Sequence, residues 1–325
     1  MPGGCVIGVD LGGTKLLAGA VDRDLAVHHR AVRRSASAST EELLEKLCDA
    51  VAEVRAASSQ SEVRAVGIGI PSLVDMDRGV PGFTAHLPLV GLPVRDVMSE
   101  RLGLPVFVAN DATLAMLVEH RFGAAAGAAD AVMLTVGTGI GGGLVVGGRL
   151  VFGAVGAAGE PGHMVIDLDG PPCACGSVGC LESLASGTAL GREGARVARA
   201  SSSDSALGAA LASGREITGA LVTELAHDGD RAARDVVALI GMRLGAGIAG
   251  LVNLLNPSVV VVGGGMVAAG ELLLEPARTV VRERALPPSR DVVSIVPARF
   301  GEESGMLGAA LLAYDGLGSS AAFAA

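Results

Sequence analysis

The chain is 325 residues long, half of them hydrophobic, with 34 acidic against 25 basic side chains and a net charge of −9. That length and apolar share support two domains and exclude a disordered chain. The acidic balance and an aromatic content of only 2% exclude a general nucleic-acid binder that neutralises phosphates and stacks on bases.

Residues 5–34 read as three strands: an apolar strand over 5–9, a turn over DLGGTK from Asp10 to Lys15, a return over 16–21 and a third strand. A helix is predicted over 39–58, where Ser39 and Glu42 make a capping box and Leu43, Leu44, Leu47, Val51 and Val54 share one face. A buried strand over 63–70 ends at Pro71, and the Pro and Gly residues of 71–93 mark a long irregular loop. A helix over 93–102, a short strand over 105–109, the pair Asn110-Asp111 and a helix over 112–122 follow.

The pattern then restarts. A strand over 131–136, a GTGIGGG turn over 137–143 and a return over 144–151 repeat the opening unit, which predicts a duplicated architecture. After a cysteine cluster come helices with a loop at 201–205, a helix over 230–255 and a strand over 258–262 ending in Gly263-Gly264-Gly265. A further helix, a strand near 292–296, a last helix from about 304 and a frayed tail from 319 complete the chain. Alternating strands and helices indicate α/β layers. The longest uncharged run, 244–270, is broken by Asn253, Asn256, Pro257 and the triple glycine, so it reads as a buried helix and strand and no membrane partner is expected. The opening residues lack a secretory pattern, and the cytoplasm is the expected compartment.

No GxxxxGK[ST] stretch is present. GxGxxG occurs at 137–142 and 245–250, but the first precedes a strand pattern and the second lies inside a helical one, so neither reads as a dinucleotide fingerprint. A Gly-rich hairpin turn either simply reverses the chain or presents successive N–H groups as an anion nest. In the first turn Gly12, Gly13 and Thr14 are joined by the Lys15 cation, and Asp10 is placed to hold a Mg²⁺ water or orient a terminal phosphate. Gly137, Thr138 and Gly139 form the second, and one such loop per half predicts a cleft that grips a polyphosphate from both sides.

Asp111 stands between a strand end and a helix start. It reads as an N-cap, as a general base at the carboxyl end of a strand, or as both. Cys173, Cys175 and Cys180 form CxCGxxGC, and with His163 they supply a closed tetrahedral zinc set of the structural type. A disulfide or free thiols are the alternatives, although CxC suits a strain-free bridge poorly. Cys5 and Cys48 read as core residues. Glu160, His163 and Glu182 flank the cluster, and a metal-locked loop would position them to hydrogen-bond hydroxyls.

Together these stretches resemble the ROK family (repressors, open reading frames and sugar kinases) over nearly the whole chain. VIGVDLGGTKLLAGAVD is similar to its first phosphate motif, and FVANDATLAM to its catalytic-aspartate segment. MLTVGTGIGGGLVVGGRLVFGAVGAAGEPGHM with CACGSVGCLE resembles the family signature with its ExGH and zinc motifs, and LLNPSVVVVGGGM the adenosine motif.

The resemblance implies a two-lobed actin-like ATPase (ribonuclease H-like) fold of duplicated βββαβαβα-type lobes. The small lobe would comprise 1–110 plus about 305–325, the large lobe 111–304, with ATP and its Mg²⁺ in the interlobe cleft. It implies a hexose 6-kinase acting on glucose or a close analogue, usually dimeric and possibly tetrameric. Asp111 would take the proton from the sugar 6-hydroxyl, and Asn110, Asp111, Glu160, His163 and Glu182 would bind hydroxyls. Asp10, Gly12, Gly13, Thr14, Lys15, Gly137, Thr138 and Gly139 would hold phosphates, Gly263, Gly264 and Gly265 would face the adenosine, and the final helix would pack back on the first lobe.

Repressor members carry a helix-turn-helix ahead of the phosphate motif, which here begins at Val6, so the kinase is the expected activity and no nucleic-acid partner is expected. Departures fall on the sugar side. NDAT (110–113) stands where NDAN is frequent, Thr84-Ala85-His86-Leu87 where a PNL-like turn is usual, and Val155 where glucose kinases have Asn. They leave an amino sugar such as kanosamine or N-acetylglucosamine, or fructose or mannose, as alternative acceptors.

Overall fold

Five strands of the first half pair in the order β3 (Val27–Arg34), β2 (Lys15–Val21), β1 (Cys5–Leu11), β4 (Val63–Ile70) and β7 (Val106–Asn110), and five of the second in the order β10 (Arg149–Leu150), β9 (Ile140–Val146), β8 (Ala131–Val136), β11 (Val259–Gly263) and β12 (Ser294–Pro297). Both sheets combine antiparallel and parallel pairing in the same way: β1 runs antiparallel to β2 and parallel to β4, and β8 runs antiparallel to β9 and parallel to β11. This is the duplicated α/β fold expected from the restart of the pattern. The computed structural model describes residues 4–58, 62–84, 87–200 and 205–318, so His86, Ala85, most of the loop expected at 201–205 and the tail from 319 lie outside the described residues. The chain divides into two compact units.

The first unit runs to Arg121 and adds Leu150–Ala158 and the residues from Glu302 on. It extends past 110 because the helix that starts at Asp111 packs against the chain's last helix, where a Cβ at Gly308 would stand 1.9 Å from the Leu114 carbonyl oxygen. The strands are β1 (Cys5–Leu11), β2 (Lys15–Val21), β3 (Val27–Arg34), β4 (Val63–Ile70), β5 (Leu73–Asp75), β6 (Val80–Phe83) and β7 (Val106–Asn110). The helices are α1 (Thr40–Ala57), α2 (Val94–Leu102), α3 (Asp111–Phe122) and a C-terminal helix, Ser304–Gly318. Ser39 caps α1 by accepting from the Glu42 amide at 3.2 Å. Glu42 reaches back to the Ala38 amide (2.7 Å), one residue earlier than a capping box requires.

The loop expected over 71–93 contains a hairpin, β5 paired with β6. Its turn closes through the Gly79 amide on the Asp75 carbonyl (2.7 Å), with Gly79 at φ 66°. Gly79, Pro81 and Gly82 hide the strand signal, since such residues normally mark loops.

The C-terminal helix lies directly on β1 and β4. A Cβ at Gly8 would stand 2.0 Å from the Met306 carbonyl oxygen, and one at Gly67 1.8 Å from that of Ala309, so only glycine permits this approach. Tyr314 donates to the Val21 carbonyl (2.9 Å), and Asp315 accepts both arms of Arg121. The expected return of the last helix to the first unit is therefore present, welded by backbone-to-backbone contact.

The second unit contains β8 (Ala131–Val136), β9 (Ile140–Val146), β11 (Val259–Gly263) and β12 (Ser294–Pro297), and β10 (Arg149–Leu150) completes its sheet at the boundary between the units. Its helices are α4 (Leu181–Ala185), α5 (Gly187–Ala200), α6 (Ala206–Ala212), α7 (Gly219–His227), α8 (Arg231–Leu255), α9 (Glu271–Arg284) and α10 (Ser289–Val292). By length and composition α8 is the one helix among the described residues that would cross a membrane, yet most of its apolar window is buried in the core with α7 and α9.

The turn expected over 137–143 is shorter. β9 begins at Ile140, and Gly141, Gly142 and Gly143 are strand residues opposite Thr135, Leu134 and Met133. Gly142 leaves room for another segment: a Cβ there would lie 2.5 Å from Pro161, and in return one at Gly162 would lie 2.0 Å from the Ile140 carbonyl oxygen. The glycines of β9 are the seat of the short helical turn Pro161–His163.

Candidate active site

In the first unit the carboxyl ends of three strands meet at one row. Asp10 of β1 pairs in register with Gly69 of β4, and Ile70 pairs with Asn110 of β7. A Cβ at Gly69 would stand 3.3 Å from Asp111 Cα, so Asp10 and Asp111 flank a position without a side chain. Burial pushes Asp111 up to about 6 and Asp10 up to about 7, and the Asp111 charge adds to the rise at Asp10. The first turn of the C-terminal helix closes over Asp10, since a Cβ at Gly305 would lie 2.6 Å from its carboxyl carbon.

The helix cap at this end is Asn110 and not Asp111. Asn110 Oδ1 accepts from the Thr113 amide at 2.9 Å, and its Nδ2 donates to the Ser72 carbonyl at 3.2 Å. Asp111 is the first residue of α3, where its Oδ1 accepts from the Ala112 amide (2.8 Å) and the positive end of the helix faces its carboxylate. Strand end and helix start thus divide the labour that one residue was expected to carry.

The turn between β1 and β2 closes through the Gly12 amide on the Lys15 carbonyl (2.8 Å), leaving Gly13 and Thr14 exposed. Lys15 begins β2 and its ammonium pairs with Glu302 at 2.9 Å, with both side chains open to solvent. Its charge is partnered by the protein at this turn, and such an exposed pair is weak enough to open for a phosphate.

In the second unit the corresponding row carries glycine. Gly263 ends β11 opposite Thr135 of β8, and Gly264, at φ 80°, would place a Cβ 2.5 Å from the Val136 carbonyl oxygen. The triple glycine therefore folds over the end of β8, beside the turn Gly137-Thr138-Gly139. Glu182 joins this turn: its Oε2 accepts from the Ile140 amide at 2.9 Å.

His163, Cys173, Cys175 and Cys180 converge, with one ligand atom from each within 4.8 Å of all the others. Cys175 Sγ lies 3.7 Å from Cys180 Sγ, and Cys173 Sγ lies 3.7 Å from His163 Nδ1. A disulfide needs about 2.05 Å, and all five cysteines are free. The spacings match the edges of a tetrahedron around zinc, about 3.8 Å for S···S and about 3.6 Å for S···N given Zn–S near 2.3 Å and Zn–N near 2.0–2.1 Å. Burial pushes the Cys173 thiol up to about 12 and raises Cys180, while the Ser177 amide holds Cys175 down. This donor set fits a closed metal site whose loading expels protons. Glu160 leads into Pro161–His163, on the β9 seat.

The model of the ROK family matches residues 6–315. The chain belongs to the ROK family. It is 36% identical over 319 residues to a glucokinase of Streptomyces coelicolor, covering 96% of this chain and 98% of that protein. A glucokinase of Thermotoga maritima is 35% identical, with 98% of this chain and all of the relative covered. Among solved structures, the ROK family glucokinase from Streptomyces griseus in complex with glucose and AMPPNP superposes with a TM-score of 0.86 at 38% identity, covering 96% of this chain and 99% of that one.

Proposed function

We propose that this chain is an ATP-dependent hexose 6-kinase with glucose or a close analogue as acceptor. The observation that carries the reading is the pair of half-buried carboxylates at one sheet end, with Asn110 relieving Asp111 of capping. Asp111 Oδ1 is held by its helix, which leaves Oδ2 to accept the proton of the 6-hydroxyl. As that proton leaves, a bond forms between the sugar O6 and the γ-phosphorus, the bridging oxygen–phosphorus bond breaks, and ADP departs. A base that titrates near 6 is ionised at neutral pH and still basic enough to help.

Phosphoryl transfer rests mostly on positioning and charge. Gly12, Gly13, Thr14, Gly137, Thr138 and Gly139 supply backbone amides to the phosphates, Lys15 a cation, and Gly263, Gly264 and Gly265 a flat approach for the adenosine. Mg²⁺ travelling with the nucleotide would screen its phosphates. Asp10 suits that ion, because a carboxylate held near 7 by burial regains its charge beside a cation. Asn110, Glu160, His163 and Glu182 bind the other hydroxyls. His163 contributes its second ring nitrogen, Nδ1 being turned to the thiols. Zinc on His163, Cys173, Cys175 and Cys180 supplies rigidity to that loop and no chemistry. We place the protein in the cytoplasm, where such thiols stay reduced, as a homodimer or a tetramer.

The test is a coupled ADP-release assay over a panel of hexoses and amino sugars, with the phosphorylated carbon located by NMR. Turnover with glucose or an analogue, giving a 6-phosphate, supports the reading. Sugar binding without ADP release would instead make the chain a non-catalytic sugar sensor.

A further inference from the structure

The turn Gly137-Thr138-Gly139 is held from one side by a single short segment, 182–188. The Gly187 amide donates to the Gly137 carbonyl (2.7 Å), Thr188 Oγ1 donates to the Thr138 carbonyl (2.8 Å), and the Ile140 amide donates to Glu182 (2.9 Å). No slack remains: a Cβ at Gly139 would lie 2.3 Å from Glu182 Oε2, and one at Gly187 2.8 Å from the Gly137 carbonyl oxygen. The same segment is anchored at its start by the cysteine loop. Cys180 is the N-cap of α4, and Glu182 Oε1 lies 3.7 Å from Cys173 Sγ.

In a trans peptide the C=O and the next N–H point in opposite directions. Fixing the carbonyls of Gly137 and Thr138 on the segment therefore turns the amides of Thr138 and Gly139 away from it, as a pair. Two neighbouring amides aimed together are what an anion nest requires.

We infer that 182–188 is a strap through which the cysteine loop sets the shape of the phosphate-holding turn, with Thr188 as its positioning residue. This deepens the kinase reading and rests on it for the identity of the turn's ligand. Thr188 is exposed at the first turn of α5. Its hydroxyl donates to the Thr138 carbonyl, so it sets nucleotide affinity by orienting the turn. Loss of the loop's metal ligation loosens Glu182 and the start of α4, and with them the same turn.

The experiment uses the whole 325-residue chain loaded with Zn²⁺. The dissociation constants of a non-hydrolysable ATP analogue and of glucose are measured separately by calorimetry for the parent, Thr188→Val and Thr188→Ser. Amide exchange is followed on the peptide spanning 135–141. In Thr188→Val, the loss of one hydrogen bond weakens the analogue by about threefold to tenfold. The turn exchanges faster, and glucose affinity and metal content hold. Thr188→Ser restores both readouts. Chelation of the parent gives the same direction, with analogue affinity falling and the 135–141 amides exchanging faster.

Parental exchange and analogue affinity in Thr188→Val would overturn the positioning role. Parental values in the metal-free protein would overturn the coupling. A parent that binds glucose but no analogue is a different failure, which removes the turn's ligand and the proposed kinase with it.

Discussion

The two units carry the same five-stranded order and put opposite materials at the same place. At the carboxyl ends of β1, β4 and β7 stand two carboxylates squeezed by burial, Asp10 and Asp111. At the ends of β8 and β11 stand glycines, with a thiol cluster tied in behind them. Glycine also serves different ends in the two. In the first unit Gly8 and Gly67 admit a whole helix to the sheet, whereas in the second Gly142, Gly162 and Gly264 fold loops onto strands. One scaffold thus yields an acid–base end and a backbone-amide end, by choosing what is left off the strands as much as what is placed on them.

The largest effect that sharpens this contrast is on folding. Gly67→Ala sets a methyl against the Ala309 carbonyl, backbone against backbone, and is expected to cost about 3 kcal/mol or more of stability, read by denaturant unfolding. Gly137→Ala, where a Cβ meets nothing within 4 Å, serves as the control and leaves stability near the parent's.

Next comes the cysteine loop. Cys175→Ser removes one of four ligands, and metal analysis is expected to show metal lost, with hexose affinity weakened roughly 10-fold or more and the melting temperature of the second unit lowered. An active parent purified without zinc would remove the metal assignment.

A pH profile probes the first unit alone. Asp111 must be ionised to accept a proton, so kcat/KM is expected to fall tenfold per unit below a midpoint near 6 and to level above it. A midpoint near 4 would contradict the burial of this group.

Stability through Asp10 probes the same unit, and its effect is confined to high pH. Its folded-state value, about 7 against an ordinary 3.8, means that the folded chain holds this proton more tightly than the unfolded one. The stability it contributes is full below about pH 4 and is lost as pH rises through 7. Asp10→Asn should therefore be more stable than the parent at pH 8, on the order of 4 kcal/mol, with the gain vanishing toward pH 4. An equal gain at both pH values would show that ionisation is not its source.

Much of this was legible in the sequence because the signals are local. Strand–turn–strand at 5–21, the Ser39 cap of α1 and the convergence of His163 with three cysteines each follow from neighbours in the chain. What escaped depends on partners far away. Gly141–Gly143 read as turn because nothing nearby shows that Pro161 will press on β9. The β5–β6 hairpin hid behind Gly79, Pro81 and Gly82. The division between Asn110 as cap and Asp111 as first helical residue turns on one residue of register, finer than any periodicity resolves. The strap on the second turn left no motif, since Thr188 is an ordinary exposed helix residue until its hydroxyl is seen on Thr138.

The central claim is that Asp111 moves a proton and does little else, and Asp111→Asn tests it most directly when binding and turnover are measured on the same preparation. The account predicts that this variant folds, binds the acceptor hexose and a non-hydrolysable ATP analogue within a few-fold of the parent, and turns over at least ~10²-fold more slowly. Turnover within a few-fold of the parent's, with both ligands bound, would contradict it.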